Sequence, residues 1–463
     1  MILVIFGSTG DLSTRMLFPS LYHLHKKGRL PTDLKIIGFA RRDYTSEQFG
    51  KFLQEKFIEQ YKTAFDEESW EHFLDNVKYI SGDLSSEEDF ENLAKMLGEL
   101  DSNGPQCNPK VFYLAISPDL YPATLAGIKK TELQSICDHK DHIRVILEKP
   151  FGKDLQSYHE LNDQLISSFN EDQVFRIDHY LGKETVKNIL YFRSANPLFF
   201  NDWSNKTIDR VDVKVVESLG VGSRAQYYDQ YGQLRDVVQS HLLQLLSLVV
   251  ADLPKELTTE NVTNEKLKVL ENLIVKDIAK DVVRGQYTNG VVDGKPVNSY
   301  LEELSDIMSS QTETYVKVKA ALNIAQWEGV EMNLISGKRM QNKETSITLY
   351  FKSQERIPGI ASRNKLVFQL QPMEGITLDL QVKKPGVNEL EVVPMLFNYK
   401  DNFKGLLPDA YESLLLDIFR GNKASFISSQ ELEASWRFID PIIEHWKNNP
   451  ASLKLYPAGT TEI

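Results

Sequence analysis

Nine consecutive residues, Arg176 to Glu184 (RIDHYLGKE), hold an arginine, an aspartate, a histidine, a tyrosine and a lysine. Asp178 and His179, adjacent in the chain, suit a catalytic dyad, a pair of metal ligands or a polar strand end. His179 and Lys183 stand four apart, a spacing that shares one face wherever the segment is helical. A second residue fit for proton chemistry is His241, in LRDVVQSHLLQLLSLVV. It falls in line with the apolar stripe Leu234, Val238, Leu245 and Val249. A core histidine bonded to a neighbour is the plainer reading there, and a neutral general base the more specific one.

Two further segments suit ligand binding. GSTGDL carries Gly7, Thr9, Gly10, Asp11 and Leu12 between an apolar run and a helix-like stretch. Glycines in that place let backbone N–H groups approach a pyrophosphate at a helix N-terminus. The pattern lacks the third glycine of the full fingerprint, and a plain tight turn would use the same residues. The next strand ends GFARRD, with Arg41 and Arg42 where an NAD site normally has an acid. Two guanidiniums suit a 2′-phosphate and hence NADP, although either arginine alone could simply solubilise a strand end. In LEKPFG, Lys149 stands just past an apolar strand, the edge at which open α/β sheets bind ligands. A surface lysine is the bland alternative, against which the Pro150-Phe151-Gly152 turn argues for a fixed backbone.

The elements that must carry these residues change style along the chain. ILVIF, LKIIGFA, KVFYLAI and HIRVILEKP are short apolar runs alternating with helical stretches, which predicts a Rossmann-type, doubly wound parallel sheet. Beyond about residue 180, RVDVKVVES, TYVKVKAALNI, MNLISG, TSITLYF, KLVFQLQ and TLDLQVK alternate at period two. That predicts a large, mainly antiparallel sheet with packed helices, an α/β fold followed by an α+β one. The boundary is expected near residue 180, giving a nucleotide-binding domain over 1–180 and a second domain over 181–463.

With 463 residues, each part can bury its own core. The balance of 53 basic against 65 acidic residues leaves a net charge of −12, which argues against nucleic acid as a partner. Cys107 and Cys137 have no metal-site spacing and fit a reducing cytoplasm. No apolar run reaches membrane-spanning length, and MILVIF reads as a strand rather than a signal peptide.

The order of GSTGDL, EKPFG, RIDHYLGKE, YYDQYGQLRDVVQSHLLQLL, VRGQY, TETYV, WEGV, SGKR, QPMEGI, YESLLLD and DPIIEHW resembles the glucose-6-phosphate dehydrogenase family nearly end to end. RIDHYLGKE beside EKPFG is the specific part, since the glycine loop is shared with many dehydrogenases. The resemblance implies oxidation of glucose 6-phosphate at C1 to the 6-phospho-lactone, with NADP as hydride acceptor. It implies that His241 is the base and that Asp178 orients His241 rather than pairing with His179. His179, Tyr180 and Lys183 would grip the sugar phosphate, and Glu217, Asp236, Lys338 and Lys343 would meet the rest of the substrate. Lys149 would lie between substrate and coenzyme, and no metal is needed because hydride transfer is the coenzyme's chemistry. Family members commonly dimerise through the second domain's sheet, so a homodimer, or a tetramer built from it, is expected, with glucose 6-phosphate as the small-molecule partner.

Three positions depart from the pattern: Met16 where a lysine is usual, Ser240 for an asparagine, and Ile335 for an arginine. They leave two rivals in place. One is a sugar oxidoreductase with an EKP lysine acting on unphosphorylated sugars. The other is a non-catalytic relative that binds sugar phosphate and nucleotide.

Overall fold

The computed structural model describes residues 1–101, 108–135, 142–196, 203–304, 309–357, 360–362, 364–403 and 407–463. Cys107 and Cys137 lie outside the described residues. The chain divides into two units. One comprises Met1–Gly152, Gln156–Lys183 and Pro408–Ser429; the other comprises Lys153–Leu155, Glu184–Leu407 and Gln430–Ile463.

The first unit is built on β1 (Ile2–Phe6), β2 (Lys35–Ala40), β3 (Val77–Ser81), β4 (Lys110–Leu114), β5 (Ile143–Leu147) and β6 (Val174–Ile177). All six run parallel in the order β3-β2-β1-β4-β5-β6, and the short strand Phe426–Ile427 adds an antiparallel edge beside β6. β1 and β4 are buried at every position, as expected of strands covered on both faces, which need apolar residues throughout. The order reverses between β1 and β4, and that switch point is where such sheets hold ligands.

The sequence predicts one helix beginning at Ser13. Instead Ser13–Leu17 winds as a π-turn and the α-helix proper runs Phe18–Lys26. Pro19 supplies no N–H to continue the regular ladder back to Arg15, so the winding has to change before it. The helix Ala410–Arg420, far along the chain, begins at the Asp409 cap and ends at Gly421, whose φ is +73°. Its Leu414, Leu415 and Ile418 join Leu21, Tyr22, Phe49, Phe57, Trp70 and Phe73 in this unit's core.

In the second unit every segment read as alternating forms a strand. The sheet order is Leu390–Asn398, Gly375–Lys383, Lys365–Gln371, Glu344–Phe351, β7 (Ile208–Val216), Glu331–Gly337, Tyr315–Leu322, Val282–Thr288 and Leu453–Pro457. Pairing along it is antiparallel except between β7 and Glu331–Gly337 and between the last two strands. A tyrosine-rich core of Tyr228, Tyr287, Tyr300, Tyr315 and Tyr456 packs near one end. Among the described residues no helix is long and apolar enough to cross a membrane.

Candidate active site

Gly7 leaves β1 with φ +78°, and a Cβ placed on it would come within 2.4 Å of the Ala115 carbonyl oxygen. Only glycine fits a backbone so turned and so close to its neighbour. The Gly7 carbonyl accepts from the Gly10 N–H at 2.9 Å and from Ser13 Oγ at 3.0 Å, and Thr14 Oγ1 donates to the Gly10 carbonyl at 2.9 Å. These bonds hold the turn open toward the carboxyl edge of the sheet. Leu12 packs against the apolar core. Beside the turn, Thr9, Asp11, Thr14, Arg15, Arg42 and Lys56 border a cleft of about 490 Å³. The Arg42 guanidinium lies 5.1 Å over the Phe52 ring, which also borders the cleft. Arg41 is exposed and, among the described residues, does not line it. Phe52 and Lys56, four apart on the helix Ser46–Tyr61, were not singled out from the sequence. Their spacing on one helix face was the available signal.

At the end of β5, Glu148 and Lys149 are both partly buried. Gly152 holds φ +84°, and its hypothetical Cβ would sit 2.7 Å from the Tyr158 backbone nitrogen, so the turn after Lys149 is fixed. Glu148 accepts from the Tyr113 hydroxyl at 2.6 Å and the Tyr411 hydroxyl at 3.2 Å. Burial pushes its carboxyl up to about 7. Sequence reading passed over this acid, because nothing in EKPFG reveals that tyrosines from distant segments close around it.

The crowded stretch that follows β6 separates into distinct jobs. Arg176 is buried and bound at 2.7 Å to Glu171 and at 2.8 Å to Asn162, so it braces the fold. Asp178, 1% exposed, accepts from the Tyr180 N–H at 2.9 Å, while its carbonyl accepts from Leu181 N–H at 3.0 Å. That tight turn is a property of a short carboxylate side chain. Lys183 Nζ rests 4.4 Å from the Tyr180 ring centroid, and the His179 ring is 4.9 Å from it. Lys183 immediately precedes the helix Glu184–Ala195.

In the second unit, register assembles another polar group. Val216 at the end of β7 faces Gly337 on one neighbour and Glu344 on the other. Glu217, Lys338 and Lys343, one residue beyond those partners, therefore share one end of three adjacent strands. Lys338 donates to Glu217 at 2.5 Å and lies 5.4 Å from the Tyr228 ring centroid, and Lys343 is exposed.

His241, 2% exposed, lies near the end of a π-helical segment, Leu234–Leu242, that continues as the α-helix Leu243–Val250. π segments recur at functional sites because they displace side chains from the α-helical register. Every residue from Leu243 to Val250 is buried, so the helix has core on all sides. Its start is fixed by polar bonds. The Glu313 carboxylate, 4% exposed, accepts from the Leu234 N–H at 2.9 Å. Gln233 donates to Ser336 at 2.6 Å and accepts from Tyr228 at 2.6 Å. Asp236 is partly exposed on the first turns, and Ser240 Oγ donates to its carbonyl at 3.0 Å.

Comparison with known proteins matches residues 4–188 to "Glucose-6-phosphate dehydrogenase, NAD binding domain" and 190–462 to "Glucose-6-phosphate dehydrogenase, C-terminal domain". A glucose-6-phosphate 1-dehydrogenase of Rhizobium meliloti is 38% identical over 99% of this chain and 93% of its own length. One from Chlamydia muridarum is 37% identical, with 99% and 93% covered. A solved glucose-6-phosphate dehydrogenase in complex with its substrate glucose-6-phosphate has a TM-score of 0.91 at 33% identity, covering 100% of this chain and 95% of the other. The Gal80p transcriptional regulator of a Kluyveromyces yeast has a TM-score of 0.52 at 10% identity, a likeness of fold alone.

The Glu313 cap gives a direct test of how the His241 helix is held. Glu313→Ala strands the Leu234 N–H inside the protein, at a cost of about 1–3 kcal/mol. The variant is expected to melt at lower temperature, with helix loss visible by circular dichroism; unchanged melting would show that the cap does not anchor this helix.

Proposed function

We propose the following division of labour for a chain that belongs to the glucose-6-phosphate dehydrogenase family. Its reaction is the oxidation of D-glucose 6-phosphate at C1 to 6-phospho-D-glucono-1,5-lactone, the first step of the oxidative pentose phosphate pathway. A nicotinamide coenzyme, when bound, takes the hydride from C1. The observation that carries the reading is His241, a buried imidazole on a helix whose start is locked by Gln233 and Glu313.

In this reading neutral His241 accepts the proton of the C1 hydroxyl. Asp178 orients the imidazole and stabilises the imidazolium that develops, as the acid of a hydrolase triad does. His179, Tyr180 and Lys183 hold the phosphate, with Lys183 just ahead of a helix start, a position that favours anions. Glu217 and Asp236 accept from sugar hydroxyls, while Lys338 and Lys343 add donors. Lys149 serves substrate and coenzyme together. The Lys183 ammonium and the His179 ring beside Tyr180 suit a phosphorylated sugar better than an unphosphorylated one.

The preferred coenzyme is NADP. Gly7 and Gly10, with Thr9, Asp11 and Leu12, cradle the pyrophosphate in a turn where a Cβ would collide with Ala115. Arg42 lines the adjoining cleft with Arg15 and Lys56, supplying cations for a 2′-phosphate, and Arg41 adds charge nearby. A cytoplasmic location fits this soluble-coenzyme chemistry.

The second unit carries the contacts of Glu217, Asp236, Lys338 and Lys343 and a homodimer interface. On the edge strand Leu390–Asn398, Val392, Val393, Met395 and Leu396 are 54%, 42%, 60% and 56% exposed, an apolar band that suits a second copy of the chain.

Three outcomes test these roles. His241→Asn is expected to lower turnover by roughly two to four orders of magnitude while glucose 6-phosphate still binds, and Asp178→Asn to lower turnover as well. Parental turnover in His241→Asn would exclude it as the base. Replacing Arg41 and Arg42 together with alanine is expected to weaken NADP far more than NAD in initial-rate assays; an unchanged preference ratio would place the 2′-phosphate elsewhere. Light scattering is expected to give a dimer for the parent and a monomer for Val392→Glu/Leu396→Glu. A dilute, fully active monomer in the parent would refute the dimer.

A further inference from the structure

Of the cations that border the cleft beside the Gly7 turn, Arg15 and Lys56 face acids of their own. Arg15 lies 3.4 Å from Asp11, and Lys56 lies 2.8 Å from Glu59. Arg42, by contrast, forms no ion pair and no side-chain hydrogen bond among the described residues. Its guanidinium lies 5.1 Å over the Phe52 ring instead.

Both ends of Arg42 are held. Its carbonyl accepts from the Tyr79 hydroxyl at 2.5 Å and from the Tyr44 N–H at 3.1 Å. Phe52, under the guanidinium, has the Tyr44 ring at 5.7 Å and the Phe49 ring at 6.4 Å. On the helix Ser46–Tyr61 the buried apolar stripe is Phe49, Leu53 and Phe57. Phe52 stands one residue off that stripe, on the face it shares with Lys56, Glu59 and Gln60, all of which border the cleft. It also packs against the edge of the core, a contact that any apolar side chain of similar size would make. Only an aromatic residue puts a flat face under the guanidinium.

A ring and a carboxylate hold a guanidinium differently. A carboxylate occupies the in-plane N–H fork and cancels the charge, so an incoming phosphate has to displace it. A ring takes the flat face, keeps the charge whole and leaves the N–H donors at the edge free. An arginine fixed before binding also loses less rotamer freedom when the ligand arrives.

We propose that Phe52 is a positioning residue for coenzyme choice: its ring holds the Arg42 guanidinium in the cleft, charged and uncommitted, so that a 2′-phosphate is recognised and a 2′-hydroxyl gains nothing comparable. The inference rests on the role given to Arg42 under the proposed function.

The experiment measures Kd for NADP by titration calorimetry, and for NAD in competition with it. The proteins are the full-length parent, Phe52→Leu, Phe52→Tyr, Arg42→Ala and the double variant Phe52→Leu/Arg42→Ala. The readout is the ratio of the two Kd values, because a change that merely loosened the fold would weaken both coenzymes together. Phe52→Leu is expected to cut the preference for NADP by about three- to tenfold, the scale of one partly exposed cation–π contact. Phe52→Tyr keeps a ring face and is expected to hold the parental preference. In the Arg42→Ala background Phe52→Leu is expected to cause no further fall, since the ring acts through that guanidinium. A parental ratio in Phe52→Leu, an equal loss of NADP and NAD, or the same fall repeated in the Arg42→Ala background would overturn the inference. Should Phe52→Leu fail to fold, Phe52→Met, equally apolar and without a ring, is expected to show the fall, and a parental ratio there would overturn the inference equally. Arg42→Ala alone decides the reading beneath it: an unchanged ratio in that variant would overturn the role of Arg42, and that of Phe52 with it.

Discussion

The turn at Gly7 is the constraint on which the first unit depends. Its N–H donates to the Phe39 carbonyl of β2 at 2.8 Å, while the Ala115 N–H returns to the Phe6 carbonyl at 3.0 Å. The turn is thus pinned to both neighbouring strands at the place where strand order reverses. No side chain fits between it and Ala115, so the backbone can present its N–H groups to a ligand instead of to a Cβ. Parallel pairing then brings the ends of the other strands to the same edge. Ala40 leads into Arg41 and Arg42, Leu147 into Glu148 and Lys149, and Ile177 into Asp178. Once β1 to β6 run parallel, residues far apart in sequence become neighbours along one edge without any further specification.

The second unit reaches its arrangement by register. A slip of one residue between β7 and Glu331–Gly337 would separate Glu217 from Lys338, one against Glu344–Phe351 would displace Lys343, and either would turn alternate side chains to the opposite face. The same strands hold the His241 helix, because Ser336 beside Gly337 both accepts from Gln233 and donates to the Val215 carbonyl at 2.8 Å. Lys338 and the helix anchor Ser336 therefore flank Gly337, the last residue of one strand. Glu313 closes the arrangement from the loop before the strand Tyr315–Leu322. Its burial raises its carboxyl above the usual carboxylate range, against the pull of the Leu234 N–H. Such a buried acid is tolerated where it satisfies a donor that nothing else reaches.

What the sequence revealed is set by the range of its signals. Period-two alternation marked six strands of the second sheet, and apolar runs marked β1, β2, β4 and β5, because burial on one face or two is written locally. The strand Leu390–Asn398 was not marked: its apolar residues occupy both faces, and a sheet edge imposes no alternation. The helix Ala410–Arg420 was readable as a helix, but periodicity does not say which sheet a helix joins. Its place in the first unit, and with it the Tyr411 contact to Glu148, depends on packing across more than two hundred residues. The π winding around His241 was equally hidden, since LRDVVQSHLLQLL suits an α-helix as well. Of the candidate residues, the glycine turn, the Asp178 turn and the Glu217–Lys338 pair have geometry that explains the choice of residue. Arg176 belongs to the frame instead.

The three departures from the family pattern acquire local reasons. Met16 is partly buried against the first unit's core, on the turn that Pro19 forces out of α-helical winding. A flexible thioether fills an irregular gap of that kind more readily than an ammonium, which would have to reach water. Ile335 packs against the tyrosine-rich core of the second unit, where a guanidinium would need partners of its own. Ser240 returns its hydroxyl to the Asp236 carbonyl within the π segment. Each of the three residues makes a contact within its own element or its own unit's core. Within the first unit Lys183 lies just ahead of a helix start, and within the second Lys338 and Lys343 lie just beyond the ends of paired strands.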